Sequence, residues 1–181
     1  TGVQTCALRI SAEVAAPFDS VWLALSKGLG CPVGGVLAGR ADFIEEAWRW
    51  KHRLGGAMRQ SGILAAAGIY ALQHHVDRLA EDHANAKLFA ERIAGIAGIE
   101  LRPPTIETNL VFFSVETTGL SATEVATRLL ERGIQIGVEA NHGMRAVTHL
   151  DVDRSGVEEA AAALATVIAE ARGSDLARVK R

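Results

Sequence analysis

The sequence predicts an α/β fold, and three features carry that prediction. Two short apolar runs, Val21-Trp22-Leu23-Ala24-Leu25 and Val36-Leu37-Ala38, flank a glycine-rich stretch and read as strands. From about Met58 to Ile96 the apolar residues fall near helical spacing: Leu72, Val76 and Leu79, then Ala86, Ala90 and Ile93. Beyond Gly95, strand-like runs return and alternate with helical stretches as far as an alanine-rich last helix.

Taken in order, residues 1–10 have no clear period and do not begin with methionine. They are expected to be a non-native leader. Ser11-Ala12-Glu13 opens a short helical turn closed near Pro17. The runs at residues 20–26 and 35–39 lack alternation, as do strands buried in a covered sheet. Asp42, with Glu45 three residues on, has the form of a capping box for a helix over residues 42–53 that carries Phe43, Ala47 and Trp50. Lys51, His52 and Arg53 at its end complement the helix dipole. Gly55-Gly56 makes a tight turn, and the backbone amides of the helix start that follows suit an anion. The region to Ile96 is one long helix or two with a bend near Asp77 or Asp82. His74, His75 and His83 lack the i, i+4 spacing of metal ligands and read as structural or solvated.

A smaller α/β unit follows. Residues 99–101, 109–115, 134–138 and 144–148 read as strands, and Pro103-Pro104 as an extended link. Ser121 or Thr123 caps a helix that runs to about Arg132, and Gly133 ends it. Residues 153–171 form the last helix, with Val157, Ala161, Leu164 and Ile168 as its apolar stripe; Gly173 to Arg181 reads as a frayed basic tail.

At 181 residues, with 49% hydrophobic and 22% charged residues, the chain is long enough for one domain or two small ones. A net charge of −2 supplies no broad basic field, which argues against a nucleic-acid partner. No apolar run reaches membrane-spanning length, and the start lacks a signal peptide's pattern. Cys6 and Cys31 make neither a metal spacing nor a disulfide framework, which points to a reducing cytoplasm. No phosphate-binding loop, dinucleotide fingerprint or Ser-His-Asp arrangement is legible.

The chemistry centres on Ser26-Lys27-Gly28-Leu29-Gly30-Cys31-Pro32-Val33-Gly34-Gly35. Glycines let a ligand approach the main chain. A lysine buried at such a turn is disfavoured as an ammonium and becomes a nucleophile toward a carbonyl. The alternative is a snorkelling lysine at a strand end. This segment resembles the pyridoxal-lysine segment of the low-specificity L-threonine aldolases. Two further stretches resemble the same family: Leu54-Gly55-Gly56-Ala57-Met58-Arg59-Gln60-Ser61-Gly62 and Arg145-Ala146-Val147-Thr148-His149-Leu150-Asp151-Val152. The likeness runs from about Ala16 to about Ala171.

The resemblance implies the C-terminal part of an aminotransferase-like, fold-type-I enzyme that uses pyridoxal 5'-phosphate. Residues 11–84 would be the remnant of the large cofactor domain, 85–172 the small C-terminal α/β domain, and 173–181 a tail. The N-terminal half, with the side chain that stacks on the pyridoxal ring and most of the phosphate cradle, is expected to be absent, and the family's aspartate partner of the pyridine nitrogen, just before the lysine strand, is not recognisable here. The resemblance makes Lys27 the catalytic lysine that holds the cofactor and Arg59 the partner of its phosphate. It makes Arg145 the two-pronged partner of the substrate carboxylate. His52 stands where the family usually has a lysine near the substrate. Ala57, in place of a third glycine, is a mild departure. The implied reaction is cleavage of L-threonine or L-allo-threonine to glycine and an aldehyde, in an enzyme that commonly forms tetramers with shared sites. Two alternatives stay open: another pyridoxal lyase of the same fold, and a non-catalytic remnant.

Overall fold

The computed structural model describes residues 13–140 and 143–179. The stretch expected as a leader lies outside the described residues. The chain divides into two compact units, one ending at Ala80 and one running from Glu81. Each is described by itself.

In the first unit a helical turn at 13–15 precedes a hairpin. Strands β1 (Ser20–Ala24) and β2 (Gly35–Gly39) pair antiparallel, with Ser20 opposite Gly39 and Ala24 opposite Gly35. Both were expected to be buried, and this is corrected: every residue of β2 and most of β1 are exposed, Trp22 at 67%. Successive side chains of a strand point to opposite faces, and a sheet of two strands cannot cover both of its own.

Helix α1 (Ala41–Arg53) begins one residue before Asp42, and Asp42 is not its cap. The Asp42 carboxylate accepts hydrogen bonds from Arg40 Nε at 3.1 Å and Nη2 at 3.2 Å. That contact, helped by the Phe43 amide, holds the carboxyl below its usual range. No residue of α1 is buried. The long helical pattern resolves into α2 (Gly62–His74) and α3 (Leu79–Ala94), broken by a turn over residues 75–78, close to one of the two places expected.

In the second unit α3 is followed by β3 (Glu100–Leu101), β4 (Leu110–Ser114), α4 (Ala122–Leu130), β5 (Gly137–Val138), β6 (Gly143–Val147) and α5 (Arg154–Val179). The four strands form one antiparallel sheet in the order β3-β4-β6-β5. Alternation along β4 and β6 sorts their side chains by face. Val111, Phe113 and Met144 point into a core with Ile93 of α3, Leu129 of α4 and Leu164 of α5. Arg145 and Val147 point to the opposite, exposed face. Ser121 closes a capping box with Glu124, and Gly133 follows α4 at φ 77°. Two expectations are corrected. The Arg102–Pro103 peptide is cis where a plain extended link was expected. The last helix runs to Val179, past the Gly173 where a tail was expected to start. A single glycine weakens a helix by only about 1 kcal/mol and need not end it.

Candidate functional site

Burial of two apolar residues shapes the loop that carries Lys27. Leu29 and Cys31 turn inward, 4% and 7% exposed, against Ala71 of α2 with Leu25, Leu72, Val76 and Leu79 around them. The backbone closes the loop: the Leu25 amide donates to the Gly34 carbonyl at 3.0 Å, and the Cys31 amide to the Leu25 carbonyl at 3.1 Å. His75, just past the end of α2, clamps it, its Nδ1 lying 2.7 Å from the Leu29 carbonyl oxygen, to which it donates as the Nδ1–H tautomer. A Cβ on Gly28 would stand 2.8 Å from Leu79 Cδ2, so the leucine side chain would have to shift to admit one. With Leu29 and Cys31 filling the interior, Lys27 is left on the outside and is exposed. Of the two readings left open, a buried lysine and a lysine at a strand end, the exposure fits the second. The loop turns its apolar residues inward and leaves Lys27 on its outer side.

Arg59 belongs to a second packed turn. Gly55 sits at φ 85°, and the Gly56 amide donates to the Lys51 carbonyl at 2.7 Å. A Cβ on Gly56 would lie 2.7 Å from Lys51 Cγ and 2.8 Å from Lys51 O, so only glycine lets this turn close on the end of α1. Gln60 adopts φ 53°, a left-handed conformation that a non-glycine residue holds at a cost. Arg59, between these constraints, is exposed. It precedes α2 and does not form part of the helix start, as the sequence pattern had suggested. His52 is tied to its own helix: its Nδ1 lies 2.9 Å from the Trp48 carbonyl oxygen and its ring centroid 4.7 Å from that of Trp48.

Arg145 lies on the exposed face of the second unit's sheet, with Phe112 of β4 across from it on one side and Gly137 of β5 on the other. Its Nη1 is 3.2 Å from Glu139 Oε1. Beside this pair a shallow cleft of about 310 Å³ is lined by Arg102, Phe112, Ser114, Glu139 and Gly143 among others. At the end of β6 the Thr148 hydroxyl donates to the Asp82 carbonyl at 2.6 Å and the Asn109 amide to the Thr148 carbonyl at 2.9 Å. The strand that carries Arg145 is thus tied to α3 and β4. Asp82 and His83 are buried here, and burial holds the His83 imidazole below its ordinary pKa.

Lys27, His52 and Arg59 thus belong to the first unit and Arg145 to the second. Sequence reasoning missed Glu139 as the partner of Arg145, and missed Leu29, Cys31 and His75 as the anchors of the lysine loop. Glu139 carried no motif; only the strand register puts it on the same face as Arg145. Among the described residues no helix is long and apolar enough to cross a membrane.

A family model described as beta-eliminating lyase matches residues 6–116. The chain is 44% identical over 150 residues to a low specificity L-threonine aldolase of Escherichia coli K12, covering 83% of this chain and 43% of that protein. It is 41% identical over 140 residues to low-specificity L-threonine aldolase 1 of Arabidopsis thaliana, covering 77% and 39%. The chain thus spans about two fifths of the length of the curated relatives it matches. Among solved structures, a protein of Exiguobacterium sp. 255-15 provisionally named aromatic amino acid beta-eliminating lyase/threonine aldolase aligns with TM-score 0.74 at 22% identity, over 92% of this chain and 49% of that one.

Proposed function

Because the chain belongs to the beta-eliminating lyase family, we propose that it carries the C-terminal part of a low-specificity threonine aldolase, a carbon–carbon lyase dependent on pyridoxal 5'-phosphate. The observation that carries this reading is the 44% identity to a protein of that name over 83% of the chain. The blocks that hold Lys27 and Arg59 lie inside the matched residues 6–116.

The donor set suits the group. Lys27 offers a primary amine on a glycine turn, and Arg59 a planar guanidinium on a turn where Gly55 holds a positive φ and a Cβ on Gly56 would meet Lys51. An amine suits an aldehyde carbon, and a guanidinium suits phosphate oxygens. When bound, pyridoxal phosphate supplies the electron sink for breaking the Cα–Cβ bond of a β-hydroxy-α-amino acid. Lys27 holds the group through its amine, and Arg59 neutralises its phosphate. Arg145 binds the substrate carboxylate through two parallel N–H donors, which fixes the rotation of the substrate and therefore which bond is aligned for cleavage. His52 lies near the substrate, where the family usually has a lysine, and offers a shorter side chain with a ring nitrogen. The products are glycine and an aldehyde. The protein works in the cytoplasm as a homo-oligomer, a tetramer in the complete enzyme.

Two measurements test this. The chain is incubated with pyridoxal phosphate, reduced with borohydride and digested; label on the Lys27 peptide, lost in Lys27→Ala, is expected. An unlabelled peptide sinks the lysine assignment. Product analysis on L-threonine then separates glycine plus acetaldehyde from the ammonia and keto acid of a β-eliminating lyase of the same fold. A second reading has its own support: the exposure of Lys27 and of Trp22, Leu23 and Leu37 favours a folded portion that does not hold cofactor by itself. Absence of any absorbance change on adding pyridoxal phosphate would favour it.

A further inference from the structure

We infer that Glu139 is a positioning residue for Arg145: it holds one terminal nitrogen of the guanidinium, so that the other edge is the one offered to a carboxylate. This rests on the carboxylate-binding role proposed for Arg145.

The placement follows from the strand register. β5 and β6 run antiparallel with Gly137 across from Arg145, so the residue directly opposite has no side chain to stand between the guanidinium and its neighbour. One step further along the same face, the Glu139 amide donates to the Gly143 carbonyl at 2.8 Å, which pins the glutamate backbone to the start of β6. Gly143 allows this closeness: a Cβ there would lie 3.1 Å from the Ala140 carbonyl oxygen and 3.3 Å from Glu139 Cβ. Two glycines on the Arg145 face therefore clear the space across which the side chains of Glu139 and Arg145 meet, at 3.2 Å between Oε1 and Nη1.

A guanidinium presents its donors in a rigid plane, and a carboxylate takes two of them side by side. A contact made through Nη1 leaves Nε and Nη2, whose N–H bonds are parallel and match the spacing of two carboxylate oxygens. Glu139 is the only partner of the Arg145 guanidinium among the described residues. Without it the guanidinium can present any of its edges, and a bound carboxylate would have to fix that orientation itself, at a cost in side-chain entropy. With side chains 47% and 42% exposed, the pair adds little to stability. Variants at Glu139 are therefore expected to fold.

The test uses the whole chain, glycine as the probe carboxylate, and phenylglyoxal as the arginine reagent. Modification of Arg145 is followed by mass spectrometry of its peptide after glutamate-specific digestion, and circular dichroism verifies that each variant is folded. Glycine is expected to slow modification of Arg145 in the unaltered chain. The glycine concentration for half protection should rise by about threefold or more in Glu139→Ala, the factor a contact of this size supports. In Glu139→Gln, whose amide oxygen can accept a hydrogen bond from Nη1, it should stay within about twofold of the unaltered chain. An unchanged or lower value in Glu139→Ala overturns the positioning role and leaves the carboxylate reading of Arg145 standing. A Gln variant as weak as the Ala variant overturns it as well, since the effect would then be charge and not orientation. No protection of the unaltered chain overturns the carboxylate reading, and the positioning role falls with it.

Discussion

The two units bury their apolar residues to different degrees. In the second, a four-stranded sheet lays one face against three helices, and Val111, Val125, Leu129, Met144, Leu164 and Val167 are fully buried. In the first, the buried apolar residues among those described are Leu29, Cys31 and Ala71, while Trp22, Trp48, Trp50, Leu54 and Ile63 are at least half exposed. The two regions do not differ in apolar content of this kind so much as in architecture. A sheet with helices on one face has somewhere to put alternate side chains; a lone hairpin and a helix with no buried residue do not. Lys27 and Arg59 sit on tightly constrained turns of the sparsely packed unit, and Arg145 stands on the rigid sheet of the densely packed one.

Substitutions at matched positions sharpen that contrast, and the largest effect is expected in the second unit. Phe113, 1% exposed and edge-on to Phe89 at 6.1 Å, should cost about 3–5 kcal/mol on replacement by alanine, read from the midpoint and slope of urea unfolding. Trp22→Ala in the hairpin, although it removes a larger side chain, should change stability by no more than about 0.5 kcal/mol, because Trp22 is 67% exposed. An equal cost at both positions would break the comparison.

Leu29→Ala is the intermediate case. It removes the main plug beneath the lysine loop and should destabilise the first unit by about 2–3 kcal/mol. Amide hydrogen exchange should rise at Gly30 and Cys31 while β4 and β6 stay protected. Exchange that rises equally in both units would mean that they unfold together.

Ser121→Ala breaks the capping box of α4, in which the Ser121 hydroxyl accepts from the Glu124 amide and the Glu124 carboxylate accepts from the Ser121 amide. The expected loss is about 1 kcal/mol. Thermal unfolding would read it as a lowered midpoint for the second unit, and an unchanged midpoint would count against the cap.

The smallest expected effect is the pH dependence that comes from His83. Its folded pKa is lowered, chiefly by burial, so the unfolded chain takes up the proton first, near the ordinary histidine value of about 6.5. Stability is therefore complete above that value and declines as pH falls from it through the lowered folded pKa. His83→Gln should flatten this slope in unfolding free energy measured between neutral and mildly acidic pH. A slope identical to that of the unaltered chain would remove His83 as its source.

Much of the second unit was legible in order and type. Local chemistry wrote it: Ser121 marks a helix start, Gly133 at positive φ marks its end, and short strand-like runs mark β4 and β6. The first unit was legible as elements but not as environment. Val21 to Leu25 reads as a buried strand because its apolar residues are unbroken, and no local feature tells how many other strands will cover it. Asp42 has the form of a cap, yet Arg40 two residues before it captures the carboxylate, a contest that spacing alone does not decide.

The chain's own residue order determined the glycine turns, the helix limits set by capping chemistry, and the three blocks that hold Lys27, Arg59 and Arg145. These depend on interactions within a few residues, where identity and spacing are enough. Tertiary structure alone decided that Leu29 and Cys31 go inward and leave Lys27 exposed, because α2 supplies the surface they bury against. It alone decided that Glu139 meets Arg145, because that contact is made by the antiparallel register of β5 and β6 and by no feature of either residue's neighbours in sequence.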